Sequence, residues 1–232
     1  MTLREQLESK ICDVFGSQWI HANAQVVPET KSIGLGNHGK KLNATVFYAD
    51  LDDSTNLVRN YKREFAAEVY KCFLYCASRL IKSQGGSIRS FDGDRVMGIF
   101  QTQTPNSDAV IAALKLNYAV KKLIQPRLLS QYPSSEFKIK HTVGIDCSEM
   151  LVVRGGVRDD NDLAWIGNAA NIAAKLNSLS SEYPTWITHR VHERLTEAAK
   201  LGGNPRRNMW EQRSWTSMGN MTIYRSNWSW KI

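Results

Sequence analysis

Residues 85–100 read GGSIRSFDGDRVMGIF, and this stretch predicts two short strands joined by a tight turn. Apolar and β-branched residues flank Asp92-Gly93, and an Asp-Gly pair between such runs is a strong hairpin signal. The hairpin carries a carboxylate, Asp94, immediately after its glycine. Gly85-Gly86 at the start of the stretch is a typical helix end, so we expect a helix directly before the hairpin.

The segment before the hairpin predicts one strand and one long helix. Residues 43–51 are rich in β-branched and aromatic residues, as in a buried strand. Asp53, Ser54 and Thr55 supply capping side chains for a helix that follows. Apolar residues then recur every three or four positions up to Leu80, which predicts one continuous amphipathic helix.

The segment after the hairpin predicts a second helix at 107–124, ended by Pro126, and a strand at 137–146. Residues 149–153 are expected to pair back beside that strand. The resulting order, β-α-β-β-α-β, predicts an α+β fold with a ferredoxin-like core. An α/β extension completes the chain, with a helix at 169–179, a strand at 185–188, a helix at 191–200 and a Trp-rich tail whose tryptophans we expect to pack in the core.

The predicted domain spans residues 42–232, and residues 1–41 form a short helix and a linker before it. The linker contains Gly34 to Gly39, which matches the pattern GxGxxG. A dinucleotide-binding turn of this pattern follows a strand and opens a helix. Here it precedes a strand, so we interpret it as a flexible linker.

The composition is that of an ordinary soluble protein and indicates no membrane partner. No window approaches the roughly 18 consecutive apolar residues that a membrane span requires. The stretch Met1–Lys10 is charged and lacks the apolar region of an export signal. The expected location is therefore the cytoplasm.

The net charge of +8 makes a nucleic-acid-binding protein the first alternative to a small-molecule enzyme. The Lys and Arg residues are scattered in short pairs and do not form a basic stripe. A polyanionic small substrate also favours a positive field. Charge alone leaves both classes open.

Two carboxylates are expected to meet at the centre of the sheet. In this fold the first and third strands lie side by side, so Asp50, near the end of the first strand, lies near the hairpin that carries Asp94. Two close carboxylates repel each other, and two Mg²⁺ or Mn²⁺ ions would relieve that repulsion. The helix that opens at Ser54 and Thr55 directs free N–H groups to the same place, which suits a triphosphate.

Three motifs in order resemble the class III adenylyl and guanylyl cyclases, a resemblance that covers residues 44–179. The first is the family's F-x-D-[IL]-x-x-[SF]-T, matched by YADLDDST at 48–55. The second is a Gly-Gly pair, a short strand and Gly-Asp, at 85–97. The third is G-x-x-x-N-x-A-x-[RK]-L, matched by GNAANIAAKL at 167–176.

The resemblance implies a role for each motif residue. Asp50 and Asp94, with the carbonyl of Leu51, would bind two divalent ions, Mn²⁺ or Mg²⁺. Asn171 would hold the ribose of a nucleoside triphosphate. Lys175 stands where most members have arginine and would stabilise charge on the transferring phosphate, without the arginine's bidentate fork. The family's sites lie between two protomers, which implies a homodimer with composite active sites.

The base-reading positions depart from those of the purine cyclases. Ser90 and Ala164 replace the side chains that read adenine, Tyr48 replaces the common phenylalanine, and Arg89 and Arg95 flank the hairpin. These departures resemble the pyrimidine cyclases of bacterial anti-phage (Pycsar) systems. That resemblance implies synthesis of cyclic UMP or cyclic CMP as a messenger for a separate effector, and we favour cyclic UMP because uracil offers two carbonyl acceptors.

Three other classes stay open at this point. An adenylyl or guanylyl cyclase with unusual base contacts is the nearest of them. A diguanylate cyclase shares the core, but its GG[DE]EF turn is missing. A nucleic-acid-binding ferredoxin-like module would explain the charge, yet the RNP pattern is absent and two central carboxylates would repel phosphates. We therefore expect no nucleic-acid partner.

Overall fold

The computed structural model describes residues 1–232 and divides into two compact units, one of residues 1–43 and 149–168, the other of residues 44–148 and 169–232. The helices are α1 (Leu3–Gly16), α2 (Ser54–Asn60), α3 (Arg63–Ser83), α4 (Pro105–Ala119), α5 (Gln125–Gln131), α6 (Asn168–Leu176), α7 (His189–Glu193) and α8 (Glu197–Lys200). The strands are β1 (Ile20–Asn23), β2 (His38–Leu51), β3 (Ser87–Asp92), β4 (Arg95–Phe100), β5 (His141–Gly156), β6 (Asn161–Ile166), β7 (Thr185–Thr188), β8 (Leu201–Gly202), β9 (Arg207–Asn208), β10 (Glu211–Trp215) and β11 (Met221–Ser226).

The first unit contains α1 and two strand pairs. A capping box between Thr2 and Glu5 starts α1. Strand β1 pairs in parallel with residues 38–41 of β2, and β6 pairs antiparallel with residues 151–156 of β5. The prediction of a linker up to residue 41 was therefore wrong at its end, because residues 38–41 already belong to a paired strand.

The second unit contains the predicted ferredoxin-like core. Its strands lie in the order β3-β4-β2-β5-β7-β11-β10, so the first and third strands of the β-α-β-β-α-β pattern, β2 and β4, are neighbours. They pair antiparallel, with Ala49 opposite Val96. Phe47, Phe73 and Phe100 are fully buried between the sheet and its helices. The predicted α+β fold class is confirmed.

The long helix predicted after the first strand is two helices. Tyr61 (φ −122°, ψ 163°) and Lys62 (φ −61°, ψ 145°) are extended and separate α2 from α3. The Tyr61 ring stacks on Phe65 and meets the edge of Phe137, with ring centroids 4.9 Å and 5.2 Å away. The contact with Phe137, which is distant in the sequence, stabilises the break.

Pro126 does not end the second helix. Residues 120–124 form a π-helical turn in which the Gln125 N–H donates to the Val120 carbonyl. Helix α5 then continues from Gln125 with Pro126 in its first turn, where the missing N–H of proline costs nothing. The wider turn accommodates the proline that the sequence pattern treats as a stop.

The strand predicted at 137–146 begins only at His141 and runs on to Gly156. The Gln125 side chain donates to the Phe137 carbonyl (3.0 Å) and accepts from the Ile139 N–H (2.7 Å). These bonds occupy backbone groups that a strand partner would need. The prediction that residues 149–153 pair back was wrong, because they continue the same strand.

The tail tryptophans pack as predicted. Trp210 and Trp215 are buried, and Trp228 and Trp230 pack against the main hydrophobic cluster. None of the helices combines the length and hydrophobicity needed to cross a bilayer.

Candidate active site

The pairing of β2 with β4 brings the two predicted carboxylates together. Asp50 is the penultimate residue of β2, and Asp94 lies in the turn between β3 and β4. Gly93 makes that turn with a left-handed φ of +58°, a conformation that costs glycine little. Burial and the negative charge of Asp94 raise the pKa of Asp50 above its ordinary value. The two side chains therefore interact, as the sequence predicted.

Arg95 forms an ion pair with Asp50. Its Nε and Nη2 atoms donate to the same carboxylate oxygen at 3.1 Å and 3.0 Å. This contact lowers the pKa of Asp50 but does not outweigh burial and Asp94. The negative charge of Asp92 also acts on both Asp50 and Arg95, so the one guanidinium does not balance the carboxylates around it.

The surroundings of Asp94 show whether a cation fits beside the two carboxylates. Its Oδ2 atom is buried and has no hydrogen-bond partner, an arrangement that costs free energy unless a ligand satisfies it. No group of three or more His, Cys, Asp or Glu side chains is placed so that it could hold a metal ion by itself. A metal here would depend on Asp50, Asp94, the Leu51 carbonyl and the substrate's own oxygens. Hard oxygen ligands of this kind suit Mg²⁺ or Mn²⁺.

Tyr48 joins the same cluster, two residues before Asp50. It is half-buried, and its hydroxyl donates to the sulfur of Met97 at 3.2 Å. Burial raises the pKa of Tyr48, and the positive charge of Arg95 opposes that rise. A neutral phenol, a guanidinium and a carboxylate are therefore adjacent at one end of the sheet.

The turn after β2 is strained at its start. Asp53 has a left-handed backbone (φ 60°, ψ 30°) and makes no side-chain cap to α2; its carboxylate instead accepts from Asn56 at 2.8 Å. The prediction that Asp53 caps with its side chain was wrong. Such strain in a residue other than glycine is typical of functional sites. Ser54 and Thr55 begin α2, a helix of only seven residues.

The structure also shows a contact that sequence reasoning missed. The Ser181 hydroxyl donates to the Asp52 carboxylate, across 129 positions of the chain. Nothing in the sequence indicated this contact, because Asp52 stands at an unspecified position of the first motif and Ser181 belongs to no motif. This bond ties the turn after β2 to the loop after α6.

The remaining base-reading candidates lie in different places. Ser90 is half-buried on β3 opposite Met97, beyond a bulge that begins at Ile88. Arg89 lines a cleft with Arg79 of α3, whereas Arg95 contacts Asp50. Ala164 is half-buried on β6 of the first unit, opposite Val153. Of the two arginines, the structure brings only Arg95 to the carboxylates.

Helix α6 carries the other two predicted residues. Asn171 and Lys175 are exposed and one helical turn apart, and the Lys175 ammonium lies 3.7 Å from the Met218 sulfur. No hydrogen bond or salt bridge links either residue to Asp50 or Asp94. The single chain therefore does not join the two residues of α6 to the two carboxylates.

Close packing on β5 fixes the position of α6. A Cβ atom at Gly144 would lie 2.1 Å from the Ala173 carbonyl oxygen, closer than any real contact. We expect Gly144→Ala to destabilise the protein by about 3 kcal/mol, through forced displacement of α6. Urea unfolding measures this, with Gly155→Ala as the control, since a Cβ at Gly155 meets nothing within 4 Å. Equal stability of the two variants would contradict the packing.

Comparison with known proteins decides the family. No known protein-family model matches the chain. A protein of Xanthomonas perforans named uridylate cyclase is 43% identical over 233 residues, which cover 100% of each chain. This chain belongs to the uridylate cyclase family. A second uridylate cyclase, from Burkholderia cepacia, is 42% identical over 234 residues and likewise covers 100% of both chains.

The solved structures agree on the fold. The guanylyl cyclase Cya2 superimposes with a TM-score of 0.69 at 16% identity, over 83% of this chain and 95% of that one. The predicted resemblance to the class III cyclases is confirmed, and the chain is a nucleotide cyclase, a phosphorus–oxygen lyase.

Proposed function

We propose that the cyclase converts UTP to 3′,5′-cyclic UMP and pyrophosphate, with two divalent ions, in a homodimer with composite sites. The observation that carries the proposal is the cluster of Tyr48, Arg95 and Asp50. In this cluster the phenol ring of Tyr48 and the guanidinium of Arg95 lie beside Asp50, a candidate metal ligand. The relatives named uridylate cyclase support the same base.

The metals would be held by Asp50, Asp94 and the Leu51 carbonyl. When bound, two Mg²⁺ or Mn²⁺ ions activate the attacking ribose hydroxyl and stabilise charge on the phosphates. The unpartnered Asp94 oxygen supports this assignment. Arg95 donates to one oxygen of Asp50, so the other oxygen would be available to an ion. Arg95 would then lie beside the metal site and could donate to the substrate.

In each composite site, residues of the two protomers hold different parts of the nucleotide. Ser54 and Thr55, with the free N–H groups that open α2, bind the phosphates; with seven residues in α2, hydrogen bonds contribute more than the helix dipole. Asn171 of the second protomer orients the ribose. Lys175 compensates charge that develops on the transferring phosphate. Both lie exposed on α6, as residues that complete a partner's site must.

The base is selected by size and by carbonyl contacts. Tyr48 narrows the pocket against a two-ring base, while Ser90 and Ala164 offer no purine contacts. Arg95 donates to a carbonyl oxygen of uracil, and Ser90 adds a hydroxyl. Cytosine has one carbonyl where uracil has two, so CTP is the leading secondary substrate, and a cytidylate cyclase is the nearest alternative.

Substitution of one arginine tests the proposal that Arg95 recognises uracil. We expect Arg95→Met to lower kcat/KM for UTP by about 10² or more and to reduce the preference for UTP over ATP, because the site loses its charged donor. The matched variant Arg89→Met tells which arginine reads the base, since its guanidinium lines the cleft with α3. A loss of preference in Arg89→Met but not in Arg95→Met would contradict the proposal.

In the cell, we propose that the cyclase acts in the cytoplasm in anti-phage defence, and that a separate effector senses the cyclic nucleotide. It requires no nucleic-acid or membrane partner in this role. The support is the resemblance to the Pycsar cyclases. Protection of bacteria against phage should need both the cyclase and the effector and should be lost with Asp50→Asn. Full protection by the inactive variant would contradict the role.

A further inference from the structure

A cleft lies between α3 and β3 in the second unit, on the strand that leads to the Asp94 turn. Its volume is about 610 Å³, within the range of small-molecule sites. Strand β3 is the last strand of the sheet, so the cleft opens at an edge that no further strand covers. The residues that line it are Tyr75, Ser78, Arg79, Lys82, Gly86, Ser87, Ile88, Arg89 and Phe91.

The charge of this cleft is entirely positive. Arg79 and Lys82 lie three residues apart on one face of α3, and Arg89 faces them from β3. No carboxylate lines the cleft. Arg79 and Lys82 are exposed and take part in none of the salt bridges of the structure. Arg79 and Lys82, two exposed cations without a salt bridge, therefore lie in a cleft that a third cation, Arg89, also lines.

Two exposed aromatic rings accompany these cations. Tyr75 is 67% exposed on α3 and Phe91 is 56% exposed on β3. Large apolar side chains left open beside a charged cleft are a common feature of ligand sites. Aromatic faces beside a cationic groove bind bases by stacking while the cations bind phosphates. The combination fits a ligand that has both an aromatic ring and several negative charges.

We propose that this cleft binds a nucleoside polyphosphate, at a site separate from the catalytic carboxylates and without a metal ion. Arg79, Lys82 and Arg89 bind the phosphates, and Tyr75 or Phe91 stacks on the base. Strand β3 also carries Ser90 and ends at Asp92, next to the Asp94 turn. A ligand in the cleft therefore contacts the strand that leads into the Asp94 turn.

Binding of ATP in the presence of EDTA tests the proposal. EDTA removes the ions that would hold a triphosphate beside Asp50 and Asp94, and variants of the cleft then show which part of the remaining ATP binding, measured by calorimetry of the full chain, belongs to the cleft. We expect one ATP per chain, and inorganic tripolyphosphate should compete about tenfold more weakly because it lacks a base to stack. The double variant Arg79→Glu/Lys82→Glu should lower the affinity for ATP at least tenfold.

The control variant is Lys62→Glu/Arg63→Glu, which changes the net charge equally on residues outside the cleft. We expect its ATP affinity to stay within about twofold of the wild type. If Arg79→Glu/Lys82→Glu does not fold, judged by its thermal midpoint, Tyr75→Ala and Arg79→Gln replace it with the same expectation. Absence of ATP binding in EDTA, equal weakening in both double variants, or binding of single-stranded oligonucleotides but not ATP would overturn the proposal.

Discussion

Asp50→Asn and Asp94→Asn should each lower the rate of cyclic nucleotide formation by at least about 10²–10³ while the fold persists. Each substitution keeps the shape of the side chain but removes the charge that holds a divalent ion. Asp94 contributes a buried oxygen without a partner, and Asp50 is paired only with Arg95. Turnover with Mn²⁺ at saturating UTP measures the loss.

A neighbouring carboxylate provides the control for that experiment. Asp53→Asn removes the same charge three residues from Asp50, and asparagine tolerates the left-handed backbone at this position. Its rate should stay within a few-fold of the wild type. Near-normal turnover in Asp50→Asn or Asp94→Asn, with unfolding curves that match the wild type, would refute the metal assignment.

A mixture of two inactive variants should recover activity. In a composite homodimer, one protomer supplies Asp50 and Asp94 and the other supplies Asn171 and Lys175. After random exchange between Asp50→Asn and Asn171→Ala protomers, half of the dimers are hybrids. Each hybrid has one intact site of two. The mixture should therefore reach about a quarter of wild-type activity, from proteins that have almost none alone.

The matched control is a mixture in which no intact site can form. Asp50→Asn combined with an Asp94→Asn protein leaves every site without one carboxylate, so this mixture should stay inactive. Exchange of protomers is verified by mass after mixing chains with different tags. Verified exchange without recovery in the first mixture would show that the site does not cross the dimer.

The sequence predicted the fold where local pattern and topology agree. Asp50 and Asp94 were expected to meet because adjacent first and third strands follow from the β-α-β-β-α-β order. The helix break at Tyr61 depends on stacking with Phe65 and on an edge contact with Phe137, and only the folded chain brings Phe137 to this position. The continuation of the helix through Pro126 depends on a π-helical turn, which no residue pattern in the sequence predicts.

The candidate site likewise has features that the sequence predicted and features that only the structure shows. The motif residues follow from their spacing in the sequence, and Asp50, Asp94 and Asn171 lie on the strand, the hairpin turn and the helix that were expected for them. Which arginine faces Asp50 depends on the register of the hairpin and on side-chain direction. The bulge between Ile88 and Ser90 changes both, so Arg89 and Arg95 looked equivalent in the sequence and differ in the structure.

Competition among the four nucleoside triphosphates tests the central claim most directly. The protein is incubated with equal concentrations of ATP, GTP, CTP and UTP and with Mn²⁺, and the cyclic products are identified by mass. The proposed site predicts cyclic UMP as the main product, cyclic CMP second, and little cyclic AMP or cyclic GMP. Cyclic AMP as the main product would contradict the pyrimidine assignment and leave the cyclase fold and its family unchanged.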